Sequence, residues 1–223
     1  MKKLIILGAG TGGTIMANKL AGPLRRRGWK ITIVDRDDNH YYQPGFLLVP
    51  FGLYQPEDLV RRRSALLPGD VEFITKEVEE IKPEKKAIKL ADGEELGYDL
   101  LLIATGNHIC PEETAGLLDG WRQNIFDYYS LDGAAALASK LEQFKEGTLV
   151  VHINEMPIKC NVSPLEFAFL ADWYFRKRGV RDNIKIIYLT PISGAFTKPV
   201  ATRFLGDLQA EKQIEVESFF MTE

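Results

Sequence analysis

A chain of 223 residues can bury one large core or two small ones, and its composition, 45% hydrophobic and 26% charged, is that of a water-soluble globular protein. A formal net charge of −3 gives no basic excess that would point to a nucleic-acid partner. The two cysteines, Cys110 and Cys160, are too few for a disulfide framework, and the apolar run of the opening MKKLIILGAG is too short for a secretory signal or a bilayer span. A cytoplasmic location is therefore expected, with attachment to a membrane surface left to other parts of a longer protein.

In chain order, KKLIILGAGTGG reads as a buried parallel strand at 3–7 running into a glycine turn. A helix is expected over 13–26, with Ile15, Leu20 and Leu24 at helical spacing, and WKITIVD at 29–35 is a second buried strand ending in an acid. The basic runs Arg25–Arg27 and Arg61–Arg63 read as solvated helix ends. Residues 39–54, aromatic and broken by proline, are expected to form a structured loop. From Asp70 onward the pattern alternates and contains an Asp92-Gly93 turn, which predicts a small antiparallel meander closing in an apolar strand at 99–104.

After a linker at about 106–124, helices are predicted at 132–144, 164–178 and 199–212, and strands at 148–153, 184–189 and 214–219. Strands alternating with helices imply parallel βαβ units. The expected class is α/β, with a Rossmann-like domain and its meander over 1–110 and a partial second Rossmann-like domain over 111–223. With so few strands in the second domain, the chain is expected to be the front part of something longer.

Gly8-x-Gly10-x-x-Gly13 falls between the first strand and the first helix, and Asp35 ends the second strand about 20 residues later. Gly8 permits the tight turn, Gly10 lets backbone amides approach a pyrophosphate, and Gly13 lets helix and strand pack closely. The helix N-terminus faces the phosphates, and Asp35 can accept from ribose hydroxyls. NAD and FAD both fit this fingerprint. The segment LLLIATG at 100–106 resembles the second signature of two-dinucleotide flavoproteins, which implies FAD. Thr105 and Gly106 then join Gly8, Gly10, Gly13 and Asp35 as the expected FAD-binding set.

In such flavoproteins a second glycine fingerprint follows the first strand of the second unit. Here TLVVHI is followed by NEMPIKCNVSPLEF, with no glycine before the helix, and IIYLTP ends without an acid. Both requirements for a nicotinamide dinucleotide are missing. The stretch holds Cys160 instead, three residues ahead of Ser163-Pro164-Leu165-Glu166, which reads as a capping box with proline at the first helical position. A helix N-terminus and the neighbouring Lys159 are both settings that favour a nucleophilic sulfur anion.

The segments HYYQPGFLLVPFG (40–52), PIKC (157–160), PLEFAFLADWYFRKRGVRD (164–182) and TPISGAFTKP (190–199) together resemble the sulfide:quinone oxidoreductase family. That resemblance implies an FAD enzyme in which a cysteine-bound sulfur passes electrons to the flavin and the flavin passes them to a membrane quinone. By motif match Cys160 is the catalytic redox cysteine, and His40, Tyr41, Tyr42 and Gln43 belong to a flavin-side loop. The family reaction needs a second cysteine, normally in a C-terminal half, so these 223 residues alone are expected to be inactive. Some members carry a cysteine shortly after the ATG segment, where this chain has NIFDYYSLDGA with Ser130. Cys110 matches no family position and reads as a loop or core thiol. The three histidines are scattered without metal-ligand spacing, so no metal is expected. Membrane contact is implied for the full-length parent, and a homo-oligomer is compatible with the sequence. Two alternatives stand beside this: a type II NADH:quinone dehydrogenase, which predicts a glycine fingerprint near 154–160, and a non-catalytic flavin-binding module.

Overall fold

The computed structural model describes residues 1–222; Glu223, the last residue of the expected second domain, lies outside the described residues. The chain divides into two compact units, Met1–Tyr42 with Glu57–His108, and Gln43–Pro56 with the chain from Ile109 onward. The loop segment that begins at Gln43 thus packs with the second unit.

In the first unit, β1 (Lys2–Leu7) leads through the glycine turn to α1 (Thr11–Arg25), then to β2 (Trp29–Asp35). A short antiparallel ribbon, β3 (Asn39–Tyr41) with β4 (Val60–Arg62), follows. Next come β5 (Glu72–Thr75), the meander β6 (Val78–Lys82), β7 (Ala87–Leu90) and β8 (Glu95–Gly97), and finally β9 (Leu100–Ile103). The main sheet is parallel, in the order β5-β2-β1-β9.

Alternation along β1 explains why the sheet is covered on both faces. Leu4 and Ile6 pack with Ala17 and Ala21 of α1, whereas Ile5 and Leu7 pack with Ile88 and Leu90 of the meander. Small residues at Gly13, Ala17 and Ala21 let α1 lie close to the sheet, with Met16, Leu20 and Leu24 flanking them. Ile15, expected on the apolar spacing, is exposed instead. Gly93 takes φ +91° in the turn between β7 and β8, which only glycine adopts readily.

Two expectations are corrected here. Residues 72–75 join the parallel sheet as an edge strand beside β2 and are not part of the meander. Phe73 and Ile74 point into the clusters on opposite faces, and Thr32 Oγ1 donates to Glu72 Oε2 at 2.6 Å. The run Arg61–Arg63 is a strand end, with Arg63 buried, whereas Arg25 does end a helix and pairs with Asp70 at 3.3 Å.

In the second unit, α2 (Leu131–Gln143) starts at Ser130, whose hydroxyl accepts from the Gly133 amide at 3.1 Å. Then β10 (Gly147–His152), α3 (Ser163–Lys177), β11 (Ile184–Thr190), α4 (Pro199–Glu211) and β12 (Ile214–Ser218) alternate. The three strands form a parallel sheet in the order β10-β11-β12. Phe167, Ala171 and Phe175 of α3 pack on Val151, Ile186 and Tyr188, and Phe51 joins them with its ring 5.0 Å from that of Phe167. No helix of the described residues is long and apolar enough to cross a membrane.

One ion cluster ties this unit together. Arg181 is buried and donates to Asp172 Oδ1 at 2.8 Å and to the carbonyls of Ile184, Lys212 and Gln213. It thereby clamps α3 to the start of β11 and to the turn before β12. Asp172 also takes Arg176 at 3.0 Å and Lys212 at 3.4 Å. Burial alone would push the Asp172 carboxyl up, but hydrogen bonds from Arg176 and Arg181 outweigh it and hold its pKa below the ordinary aspartate value of 3.8. A depressed folded pKa contributes stability that is present above 3.8 and is lost as pH falls through the lower folded value. We predict that Asp172→Asn destabilises the second unit by about 3–5 kcal/mol at neutral pH, because Arg181 is left buried and unpaired. Thermal melts from pH 7 down to pH 3 should show the difference from wild type shrinking only at the acid end; a constant or absent difference would contradict this.

Candidate functional site

The six expected dinucleotide-binding residues all lie in the first unit: Gly8 and Gly10 in the turn after β1, Gly13 in the first turn of α1, Asp35 at the end of β2, and Thr105 and Gly106 after β9. That is the carboxyl edge of a parallel sheet, where such folds bind ligands. Gly8 has φ +90°, and a Cβ there would stand 2.3 Å from the Ala104 carbonyl oxygen. A Cβ on Gly13 would stand 1.8 Å from the Gly8 carbonyl oxygen. The turn after β1, the first turn of α1 and the end of β9 therefore meet backbone to backbone. Gly8 N donates to Val34 O at 2.8 Å and Ala104 N to Leu7 O at 2.7 Å, which fixes the edges of the turn.

Gly10 differs from its neighbours. It is the N-cap of α1, no side chain caps it, and a Cβ there would meet no protein atom within 4 Å. The amides of Thr11, Gly12 and Gly13 have no acceptor within the helix, and the first turn holds no acid. Open space in front of unpaired amides at a helix N-terminus suits a pyrophosphate. Thr105 and Gly106 follow β9 and are exposed, with Gly106 at φ +74°.

Asp35 is pinned from several sides. Its Oδ2 accepts from the Ala9 amide at 2.6 Å, and its Oδ1 accepts from the Arg36 amide at 2.7 Å and from Arg63 Nη1. Arg63 also donates to the Asp37 carbonyl at 2.8 Å. Arg63 is the residue the sequence did not disclose, because it closes a run of three arginines whose first two members are exposed. The group fits an FAD adenosine end: an open anion cradle at Gly10, and an acid with a lone pair to spare beside it.

In the second unit, the loop between β10 and α3 carries Cys160. The Cys160 carbonyl accepts from the Ser163 amide at 3.3 Å and from the Tyr129 hydroxyl at 3.4 Å. The expected capping box is not formed. The N-cap is Val162, already in helical conformation, with no side-chain cap, and the Glu166 amide bonds to Val162 O. Ser163 is buried as the first residue of the helix, so its side chain is not at the N-cap position. Pro164 lies in the first turn of the helix, at its second position and one place later than expected.

Tyr128 stacks between Tyr129 and Phe167, with centroids at 5.2 and 4.8 Å. Burial pushes both phenols above their ordinary value, Tyr128 far above it, so both remain neutral hydrogen-bond donors. Lys159 Nζ donates to Gln43 Oε1, and burial lowers the pKa of its amine. The ammonium next to the thiol is thus already engaged. The phenol pair and Gln43 were not singled out from sequence as partners of this loop. In the sequence Tyr128 and Tyr129 appeared only within NIFDYYSLDGA, the stretch that lacks a further cysteine.

Both cysteines are free. The Cys110 thiol is pushed up by burial and then by Glu113 and Glu112. His152 is lowered by burial and its Nε2 lies 3.0 Å from Thr222 Oγ1. Among the described residues no group of three or more His, Cys, Asp or Glu side chains is placed to hold a metal ion.

The sequence profile of the pyridine nucleotide-disulphide oxidoreductase family matches residues 2–152. The chain is 30% identical over 216 residues to the mitochondrial sulfide:quinone oxidoreductase of Mus musculus, a match covering 96% of this chain and 47% of that protein. It is 28% identical over 142 residues to a type II NADH:quinone oxidoreductase of Staphylococcus haemolyticus, covering 63% of this chain and 34% of that protein. Its fold is similar to the crystal structure of the sulfide:quinone oxidoreductase of Aquifex aeolicus, with a TM-score of 0.84 at 23% identity over 98% of this chain and 51% of that one. The chain spans about half the length of the curated sulfide:quinone oxidoreductases that it matches. It belongs to the pyridine nucleotide-disulphide oxidoreductase family, a family of FAD-binding flavoproteins, and has sulfide:quinone oxidoreductases among its homologues.

Proposed function

We propose that this chain is the FAD-binding and sulfur-handling part of a sulfide:quinone oxidoreductase. The observation that carries the reading is the contrast between two βαβ turns. The turn after β1 is an open glycine cradle at a helix N-terminus. The equivalent turn after β10 has no glycine and presents Cys160 instead.

In this reading Gly8, Gly10 and Gly13 shape the pyrophosphate cradle, Asp35 holds the adenosine ribose, and Thr105 and Gly106 contact the cofactor beyond β9. The residues 1–110 and 111–223 act as a flavin domain and a sulfur-bearing domain. FAD, when bound, would supply a two-electron acceptor; Cys160 is the residue whose thiol would join a hydrosulfide sulfur as a persulfide anion, with two electrons and two protons given up in the joining. Tyr129, bonded to the Cys160 carbonyl, holds the loop that presents the sulfur. A membrane quinone as the next acceptor, peripheral membrane attachment and the second cysteine of the cycle are proposed by resemblance to the relatives. The type II NADH:quinone oxidoreductases match less of the chain. Neither the loop after β10 nor the Thr190 end of β11 offers the glycines or the acid for NADH.

Two outcomes test this. We predict that Gly10→Val, a poorer N-cap, lowers the melting temperature by only a few degrees, roughly the cost of a lost cap, yet weakens FAD binding by about tenfold or more, since the new side chain fills ligand space. Gly13→Ala should instead unfold the first unit. Equal FAD affinity in Gly10→Val and wild type, read by flavin fluorescence quenching, would remove the cradle from the account. We also predict that sulfide, and not NADH, bleaches the FAD-loaded protein under anaerobic conditions, and that Cys160→Ser keeps its FAD but no longer bleaches. Bleaching by NADH, or wild-type sulfide bleaching in Cys160→Ser, would sink the sulfur reading.

A further inference from the structure

We propose that Arg63 is a positioning and charge-compensating residue of the dinucleotide site. It locks the Asp35 carboxylate for the ribose and cancels the negative charge that would otherwise face the pyrophosphate. This rests on the reading of the first unit as the FAD site.

Arg63 is placed where a fold alone gains little from an arginine. It is only 8% exposed, although Arg61 and Arg62 beside it face solvent. Its Nε is buried without a hydrogen-bond partner. A buried guanidinium with an unmatched donor is costly, and an apolar side chain of similar volume would serve packing as well or better. What the charge does engage is acidic: Nη1 contacts Asp35 Oδ1, donates to the Asp37 carbonyl at 2.8 Å and lies 3.5 Å from Asp37 Oδ1. The backbone around it is held as well. The Arg63 amide donates to Asp38 O at 2.9 Å, and Asp38 takes the Ser64 amide at 2.8 Å and Arg62 Nε at 2.8 Å.

The division of labour on Asp35 shows what the arginine is for. Oδ1 is taken by Arg63 and the Arg36 amide. Oδ2 takes only the Ala9 amide, so it keeps one lone pair for a ribose hydroxyl. That same Oδ2 lies 2.6 Å from the amide of Ala9, one residue before the open cradle at Gly10. An uncompensated carboxylate so near a doubly charged pyrophosphate repels it. The guanidinium sits on the far oxygen, so it neutralises the acid without occupying the oxygen that the ligand needs.

The test is ligand binding by the 223-residue chain with FAD and with ADP, which carries the same ribose and pyrophosphate. Arg63→Met should weaken both by about 10- to 100-fold, and Arg63→Lys, which keeps the charge, by much less. In an Asp35→Asn background, Arg63→Met should cause no further loss of ligand affinity, because the carboxylate that the ribose and pyrophosphate meet is already gone. Added salt should recover part of the ADP affinity of Arg63→Met and not that of wild type, since it screens the exposed repulsion. A purely structural arginine would lower the melting temperature and cost the same in either background. Wild-type affinity in Arg63→Met, full additivity with Asp35→Asn, or an unchanged salt response would each overturn the proposal. If Arg63→Met does not fold, Arg63→Lys decides: a loss as large as that of Asp35→Asn overturns charge compensation. Wild-type protein that binds neither FAD nor ADP would overturn the FAD reading itself, whereas binding in wild type with no effect of Arg63 overturns this inference alone.

Discussion

The first unit depends on one backbone contact. Gly13 of α1 passes so close to Gly8 that any side chain would collide with its carbonyl, and Gly8 in turn abuts the end of β9. Because helix and strands meet at this spacing, the α1 N-terminus opens directly beyond β1, and the Asp35 carboxylate at the end of β2 reaches the Ala9 amide. Remove the contact and the helix must move away from the sheet. The open turn at Gly10 and the Asp35 carboxylate then lose their common frame. Site and fold are thus the same constraint seen from two sides.

The second unit repeats the frame without that contact. Its β10–α3 connection contains no glycine, and other contacts hold the unit together. An aromatic group of Phe51, Tyr128, Phe167 and Phe175 fills the core beside α3, and the Arg181–Asp172 cluster closes the other end. The turn after β10 carries a cysteine whose carbonyl is tethered by Tyr129 and the Ser163 amide. A turn built this way offers a held sulfur where a nucleotide fold offers amides.

Much of this was legible in the sequence, and the rest was hidden for physical reasons. Buried strands such as IIL and ITIV carry an apolar run that announces itself, and the glycine spacing with a strand-end acid is local. The short strand Glu72–Thr75 was misplaced because an edge strand and a meander strand share the same alternation, and only its partner distinguishes them. Ser163 matched a capping box, but the rule is blind to tertiary packing, which makes Val162 the N-cap and buries Ser163 in the first turn. Arg63 was invisible for a similar reason. A run of three arginines says nothing about which one turns inward, and its acid partner lies far back in the chain.

The most direct measurement is an NMR titration of the amide-labelled chain with ADP, which carries the adenosine ribose and pyrophosphate and nothing of the flavin. The account predicts saturable shifts at the amides of Ala9–Gly13 and Arg36, with residues 154–163 unmoved. Shifts confined to the segment after β10, or a glycine turn that ignores ADP, would contradict it.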